Sequence, residues 1–322
     1  MIKRSDPPIA ATDPPALQHA LTGHALTGHA LTRRAVLAGG AAAVVLAACG
    51  SKGGRDTSSP DTSAVGTASL LALFPLNDYI TAGVPQRIAF GIADPGGGLT
   101  PKGPATLAFT ITDPAGSRTT KQVPGHTKGL PYTYYPINFT PSKGGNFTVT
   151  TKIDGSEATS TFTVGAKGSS DVPGPTDALP SMKSPTTADH LGVDPICTQD
   201  PPCPLHTTSL DVALAASKPV AYLVATPKFC QTGICGPVLE VLETTAPGYA
   251  GKVTFIHQEV YQSAKAAAEK GTSAPLASQV QQLHIQSEPV LFITDASGVI
   301  RHRIDTAYAE TELRAALDDV LA

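Results

Sequence analysis

Five cysteines stand in this 322-residue chain, and their spacing sets the chemistry open to it. Cys230 and Cys235 flank Gln231-Thr232-Gly233-Ile234, and Pro237 follows two positions later. Val238, Val241 and Leu242 recur at helical spacing after that proline. Proline suits the first turn of a helix, because its missing N–H would find no partner there anyway. Cys235 is therefore expected at or just before a helix N-terminus, where unpaired N–H groups and the helix dipole stabilise a thiolate. Gly233 lets the preceding loop curl so that Cys230 reaches Cys235. Two readings follow. The pair is either a reversible disulfide or a permanent staple, whose short loop is worth roughly 2 kcal/mol in the chain-entropy model.

Cys197 and Cys203 lie in Ile196-Cys197-Thr198-Gln199-Asp200-Pro201-Pro202-Cys203-Pro204-Leu205-His206. Their simplest reading is a second, structural disulfide. With His206 they also offer soft ligands suited to copper(I) or zinc, with His257 or His284 as a further histidine. The expectation is the disulfide, with no metal and no cofactor. The isolated His190, His257 and His302 are expected to be solvated or packed.

The fifth cysteine ends a different pattern. Residues 35 to 48 are uncharged and follow Arg33-Arg34. At about 1.5 Å per residue they span about 21 Å, short of a hydrocarbon core of roughly 30 Å. A basic start, a short apolar stretch and a small-residue exit make an export signal. The exit, Leu46-Ala47-Ala48-Cys49, resembles the lipobox of bacterial lipoproteins. In that family the peptide is cut before the cysteine, whose sulfur carries diacylglycerol. Thr32 to Leu37 also resembles a twin-arginine signal. The resemblance implies a signal peptide over residues 1–48, a lipid on Cys49 and a place on the extracytoplasmic face of the cell membrane, where disulfides persist. A HALTG repeat upstream, carrying His19, His24 and His29, is expected to be discarded with the signal.

Composition narrows the partners. A net charge of −3, from 23 basic and 26 acidic residues, leaves no basic face for a phosphate backbone, so no nucleic-acid partner is expected. Only 15% of residues are charged, while Gly (30) and Pro (29) are abundant and 41% are hydrophobic. The chain should fold, with much turn and linker.

The elements that must position the cysteines divide in two. Residues 49–67 are small and polar, and are expected to form a tether. In residues 68–166, Ile88/Phe90/Ile92, Leu107/Phe109/Ile111 and Phe147/Val149/Ile153 alternate, and Asp-Pro-Gly and Gly-Gly turns separate them. About seven strands emerge, which predicts an immunoglobulin-like β-sandwich. It carries no Cys and one His, His126, and reads as a spacer or protein-binding module. Tyr132, Tyr134 and Tyr135 are either a contact patch or strand packing. Residues 167–206 read as a second linker. From residue 207 the pattern is strand–helix–strand–helix–hairpin–helix, with Val220 to Ala225 a continuous apolar run suited to a strand covered on both faces.

In this second part Cys235-Gly236-Pro237-Val238 resembles the first three residues of the CGPC motif of the thioredoxin family, at the same strand-to-helix junction. Leu283 to Leu291 resembles the segment leading to that family's cis-proline, which carries over to Pro289. The hairpin and last helix match in order, and the whole layout resembles lipid-anchored, thioredoxin-like proteins of actinobacteria. The resemblance implies an α/β thioredoxin-like domain over residues 207–322. It also implies thiol–disulfide exchange with exported proteins, Cys235 attacking and Cys230 resolving. Pro289 would shape the substrate groove and Pro237 would hold the helix start. Three positions depart from the family: its second cysteine falls at Val238, its buried acid at Tyr222, and Glu288 precedes the proline where a small apolar residue or Thr is usual. A non-catalytic binding protein with two stapling disulfides, or a copper-handling protein of the same fold, are the alternatives.

Overall fold

A computed structural model describes residues 68–76 and 79–322. The signal peptide, the lipidation site Cys49 and the tether expected for residues 1–67 lie outside the described residues. Among the described residues, no helix is long and apolar enough to cross a membrane.

Three sheets, mostly antiparallel, dominate. The first has the order β1 (Ser69–Ala72), β2 (Gln86–Ala93), β5 (Tyr134–Phe139). The second runs β4 (Arg118–Pro124), β3 (Thr106–Thr112), β6 (Gly145–Ile153), β7 (Ser156–Val164). Every pairing in both is antiparallel, and the alternation read from the sequence is met on β3 and β6. Leu107, Phe109 and Ile111 turn inward on β3, as do Phe147, Val149 and Ile153 on β6. Between the sheets Phe90 stacks on Phe109 and meets Phe74 edge-on, with centroids 5.9 and 5.5 Å apart. Such pairs add to the apolar area they bury.

The third sheet has the order β11 (Ile300–Asp305), β10 (Val290–Thr294), β8 (Val220–Val224), β9 (Thr254–Gln258). Only β8 and β9 pair in parallel. Both faces are covered, so all five residues of β8 are buried. Val220, Tyr222 and Val224 pack with α1 (Leu210–Ala215), α3 (Ala264–Lys270) and α4 (Ser278–Gln282). Ala221 and Leu223 pack with α2 (Cys235–Thr245) and α5 (Glu310–Asp319). The sequence pattern anticipates α2, α4 and α5. It does not mark α1 or α3: α3 buries only Ala267, too little to leave an apolar stripe.

One expectation is corrected. Residues 167–206 are not a free linker but a strap with little regular structure, laid along the third sheet. Thr176 N–H donates to Ile300 O and Ile300 N–H to Asp177 O, both at 2.8 Å. Val172, Leu179, Met182 and Val193 are buried in the shared core. Apolar residues spaced without period are invisible to a pattern reading but still remove surface from water.

The sandwich, read as a spacer or protein-binding module, also packs against the C-terminal layers. Its β2 is buried at all eight positions, because the face opposite Ile88 and Phe90 meets the C-terminal layers. Arg87 Nε donates to Glu312 at 2.6 Å, and Arg87 Nη2 to Ala307 O at 2.6 Å. Tyr134 OH donates to Glu312 and Tyr79 OH to Asp305, both at 2.6 Å. Arg303 pairs with Asp305 at 2.9 Å while its guanidinium lies 3.6 Å from the Tyr79 ring centroid. Every charge in this buried junction has a partner, as low-dielectric surroundings demand. Tyr132, Tyr134 and Tyr135 are buried and form no exposed patch.

Candidate functional site

The end of β8 runs into Thr226 to Ile234, and α2 begins at Cys235. Gly233 turns this loop with φ +66°, a left-handed conformation that glycine adopts without strain, and its N–H donates to Cys230 O at 3.2 Å. Cys230 and Cys235 are thereby brought together and joined as a disulfide.

The two sulfurs differ. Cys235 is fully buried, whereas Cys230 is half-buried. The Cys230 sulfur accepts from the Cys235 backbone N–H, at the start of α2, at 3.3 Å, and lies 3.4 Å from the Thr232 hydroxyl. Donors that favour a thiolate thus converge on Cys230. The expectation that Cys235 attacks and Cys230 resolves does not fit this burial. A sulfur with no exposed surface cannot meet a second protein, so the reachable atom is Cys230.

Pro289 is buried beside the pair, and the Glu288–Pro289 bond is cis. Glu288 Oε2 accepts from Thr226 N–H at 2.8 Å and lies 3.6 Å from the Cys235 sulfur. Burial pushes its carboxyl up to about 8, with Glu259 adding to the effect and Thr226 and His257 opposing it. It is therefore mostly protonated at neutral pH. Tyr222 is buried, and burial raises its hydroxyl well above the ordinary range. Glu288 supplies a part-buried acid just before β10. Pro237 stands in the first turn of α2 and lines a cleft of about 490 Å³ shared with His126 and Lys128 of the sandwich.

Behind this loop is a second constellation. Cys197, Cys203, His206 and His257 are all buried, and their donor atoms lie within 4.8 Å of one another. The expected Cys197–Cys203 disulfide is not formed; both are free thiols. Each sulfur instead has an imidazole nitrogen in reach: Cys203 Sγ lies 3.2 Å from His206 Nε2 and 3.4 Å from His257 Nδ1, and Cys197 Sγ lies 3.7 Å from His257 Nδ1. Cys203 beside it, with both imidazoles, pulls the Cys197 thiol down, while Cys203 as its donor is pushed up. For His257, burial opposes the charged form, but the Cys197 sulfur and Glu259 carboxylate outweigh it and the net shift is upward.

The two constellations touch through Thr198. Its N–H and hydroxyl donate to Glu259 Oε1 at 2.6 and 2.8 Å, and its Oγ1 accepts from Lys228 N–H in the disulfide loop at 3.2 Å. Sequence reasoning weighed His257 only as a loose ligand and read it as packed or solvated. Its place in a mostly apolar strand was the available signal. Glu259 and Thr198 carried none. His284 stays outside the cluster with φ +52°, His190 is exposed, and His302 bonds Asp319 at 2.9 Å. No protein-family model matches the chain, and no curated protein matches it.

Proposed function

We propose that this chain is a lipid-anchored, extracytoplasmic thioredoxin-like protein that exchanges disulfides with thiols of exported proteins. The observation that carries the reading is the Cys230–Cys235 disulfide at the start of α2, with the part-buried Glu288 carboxyl 3.6 Å from the Cys235 sulfur. The sheet order β9-β8-β10-β11, with β8 and β9 alone parallel, supports a thioredoxin-like fold, and the seven-strand sandwich supports an immunoglobulin-like one. The membrane location rests on Leu46 to Cys49.

In this mechanism a substrate thiolate attacks the Cys230 sulfur and forms a mixed disulfide as the Cys230–Cys235 bond breaks. The electron pair leaves on Cys235, and protonated Glu288 gives that sulfur its proton. A second substrate thiolate then attacks the substrate sulfur. Cys230 leaves as a thiolate held by the Cys235 N–H. The substrate gains a disulfide and the protein becomes a dithiol, a two-electron exchange whose reverse reduces a substrate disulfide.

Equilibration of the full chain in graded dithiothreitol buffers, read by alkylation mass shift, tests this. An exchanging pair has a potential above roughly −300 mV; a value well below it marks a stapling disulfide and overturns the proposal. With glutathione disulfide, Cys235→Ser should form a mixed disulfide at Cys230, and Cys230→Ser should form far less.

A further inference from the structure

We propose that Cys197, Cys203, His206 and His257 form a closed tetrahedral zinc site that staples the strap to β9 behind the disulfide loop. The site is independent of the exchange reading, since none of its donors belongs to the Cys230–Cys235 pair.

Hydrogen bonding alone does not account for the cluster. His257 Nε2 lies 3.1 Å from the Ala225 carbonyl oxygen. A carbonyl only accepts, so Nε2 carries the hydrogen, and in the neutral imidazole that a metal requires Nδ1 presents its lone pair to the cluster. That single lone pair has three neighbours, the sulfurs of Cys197 and Cys203 at 3.7 and 3.4 Å and His206 Nε2 at 3.3 Å. One lone pair accepts one good hydrogen bond. A cation at the centre satisfies all four donors together, and the Ala225 carbonyl is the kind of outer partner that orients a ligating imidazole.

The six donor–donor separations all lie within 4.8 Å, and four of them are close to the edges of a tetrahedron around zinc. Its edge is roughly 1.6 times the metal–ligand bond. Zn–N bonds of about 2.0–2.1 Å and Zn–S bonds of about 2.3 Å therefore require N···N near 3.3 Å and S···N near 3.5 Å. The observed N···N is 3.3 Å, and the observed S···N distances are 3.2, 3.4 and 3.7 Å. Two thiolates would neutralise a divalent ion, removing the cost of burying either charge alone. Thiolate and imidazole donors disfavour calcium and magnesium. Four buried protein donors describe a closed structural site rather than one built for transfer.

Position gives the site its role. Three donors come from the strap, which has little regular structure, and one from β9. Thr198, next to Cys197, holds both Glu259 and Lys228. A metal here pins the strap and, through Thr198, one side of the loop that carries Cys230.

The test is metal content of the full chain folded with zinc present, together with the absorption spectrum after cobalt(II) replacement. One metal per chain is expected, with intense visible bands of tetrahedral cobalt and a thiolate charge-transfer band. Cys230→Ser/Cys235→Ser should keep both signals, and Cys203→Ala and His257→Ala should lose them. Because a ligand variant can misfold, alkylation of the wild type is the second readout: Cys197 and Cys203 should be protected with metal and become reactive on chelation. Three results would each overturn the proposal: metal far below one per chain, a Cys197–Cys203 disulfide in the zinc-folded protein, or retention of copper(I) in place of zinc in anaerobic competition.

Discussion

Glu288→Gln offers the sharpest probe of the proton at the disulfide. The amide keeps an oxygen to accept from Thr226 N–H but cannot ionise. In the wild type, burial holds the folded carboxyl at about 8, against 4.5 when freely solvated. Below about pH 4.5 it is neutral in both folded and unfolded chains and adds no pH dependence. As pH rises from there to about 8, the unfolded chain ionises while the folded chain stays protonated, so stability falls; above that both ionise and the loss ends. Each pH unit inside the window is worth about 1.4 kcal/mol. Between about pH 5 and pH 8 the wild type should therefore lose roughly 3–4 kcal/mol relative to Glu288→Gln. Urea unfolding of both oxidised proteins across this range measures the difference. His257 and Glu259 titrate in both proteins, and their coupling to Glu288 is part of the difference measured. If the two stability curves run parallel within about 0.5 kcal/mol, an amount far below the linkage value, Glu288 titrates like a solvated acid. It would then not be a proton source for Cys235.

Three other perturbations test the packing that supports this site. Arg87→Met leaves the part-buried Glu312 with only the Tyr134 hydroxyl as partner and should cost up to about 3 kcal/mol in urea unfolding, with Arg87→Met/Glu312→Leu costing less than the single change. Phe90→Ala opens a cavity between the sandwich sheets and should cost about 3–5 kcal/mol; a loss under about 1 kcal/mol would mean that Phe90 is not the closed core residue described. Gly233→Val forces a branched side chain into φ +66° and should cost about 1–2 kcal/mol, visible as a lower Tm of the oxidised protein.

Period-two alternation marked the sandwich strands because a half-buried strand must alternate, and the pairing of β3, β4, β6 and β7 follows it. The apolar run at Val220 announced a doubly covered strand for the same reason. Pro237 and the stripe behind it located the start of α2, and Gly233 made the loop that joins Cys230 to Cys235 plausible. These features are local: a few neighbouring residues carry each of them.

The remaining features join residues far apart in the chain, and only the folded molecule decides them. Arg87 meets Glu312 across 225 positions, and Cys197 meets His257 across 60. No local pattern encodes either distance. Burial left Cys230, not Cys235, as the sulfur with exposed surface, since spacing alone does not say which face of a loop is covered. It also turned Glu288 from an odd neighbour of a proline into an acid 3.6 Å from sulfur, its carboxyl pushed up to about 8. Cysteine types and spacing limited the chemistry to thiols, disulfides and soft metals. Which pair is bridged and which shares a pocket with two imidazoles was decided by tertiary packing, because burial and distance are properties of the whole fold.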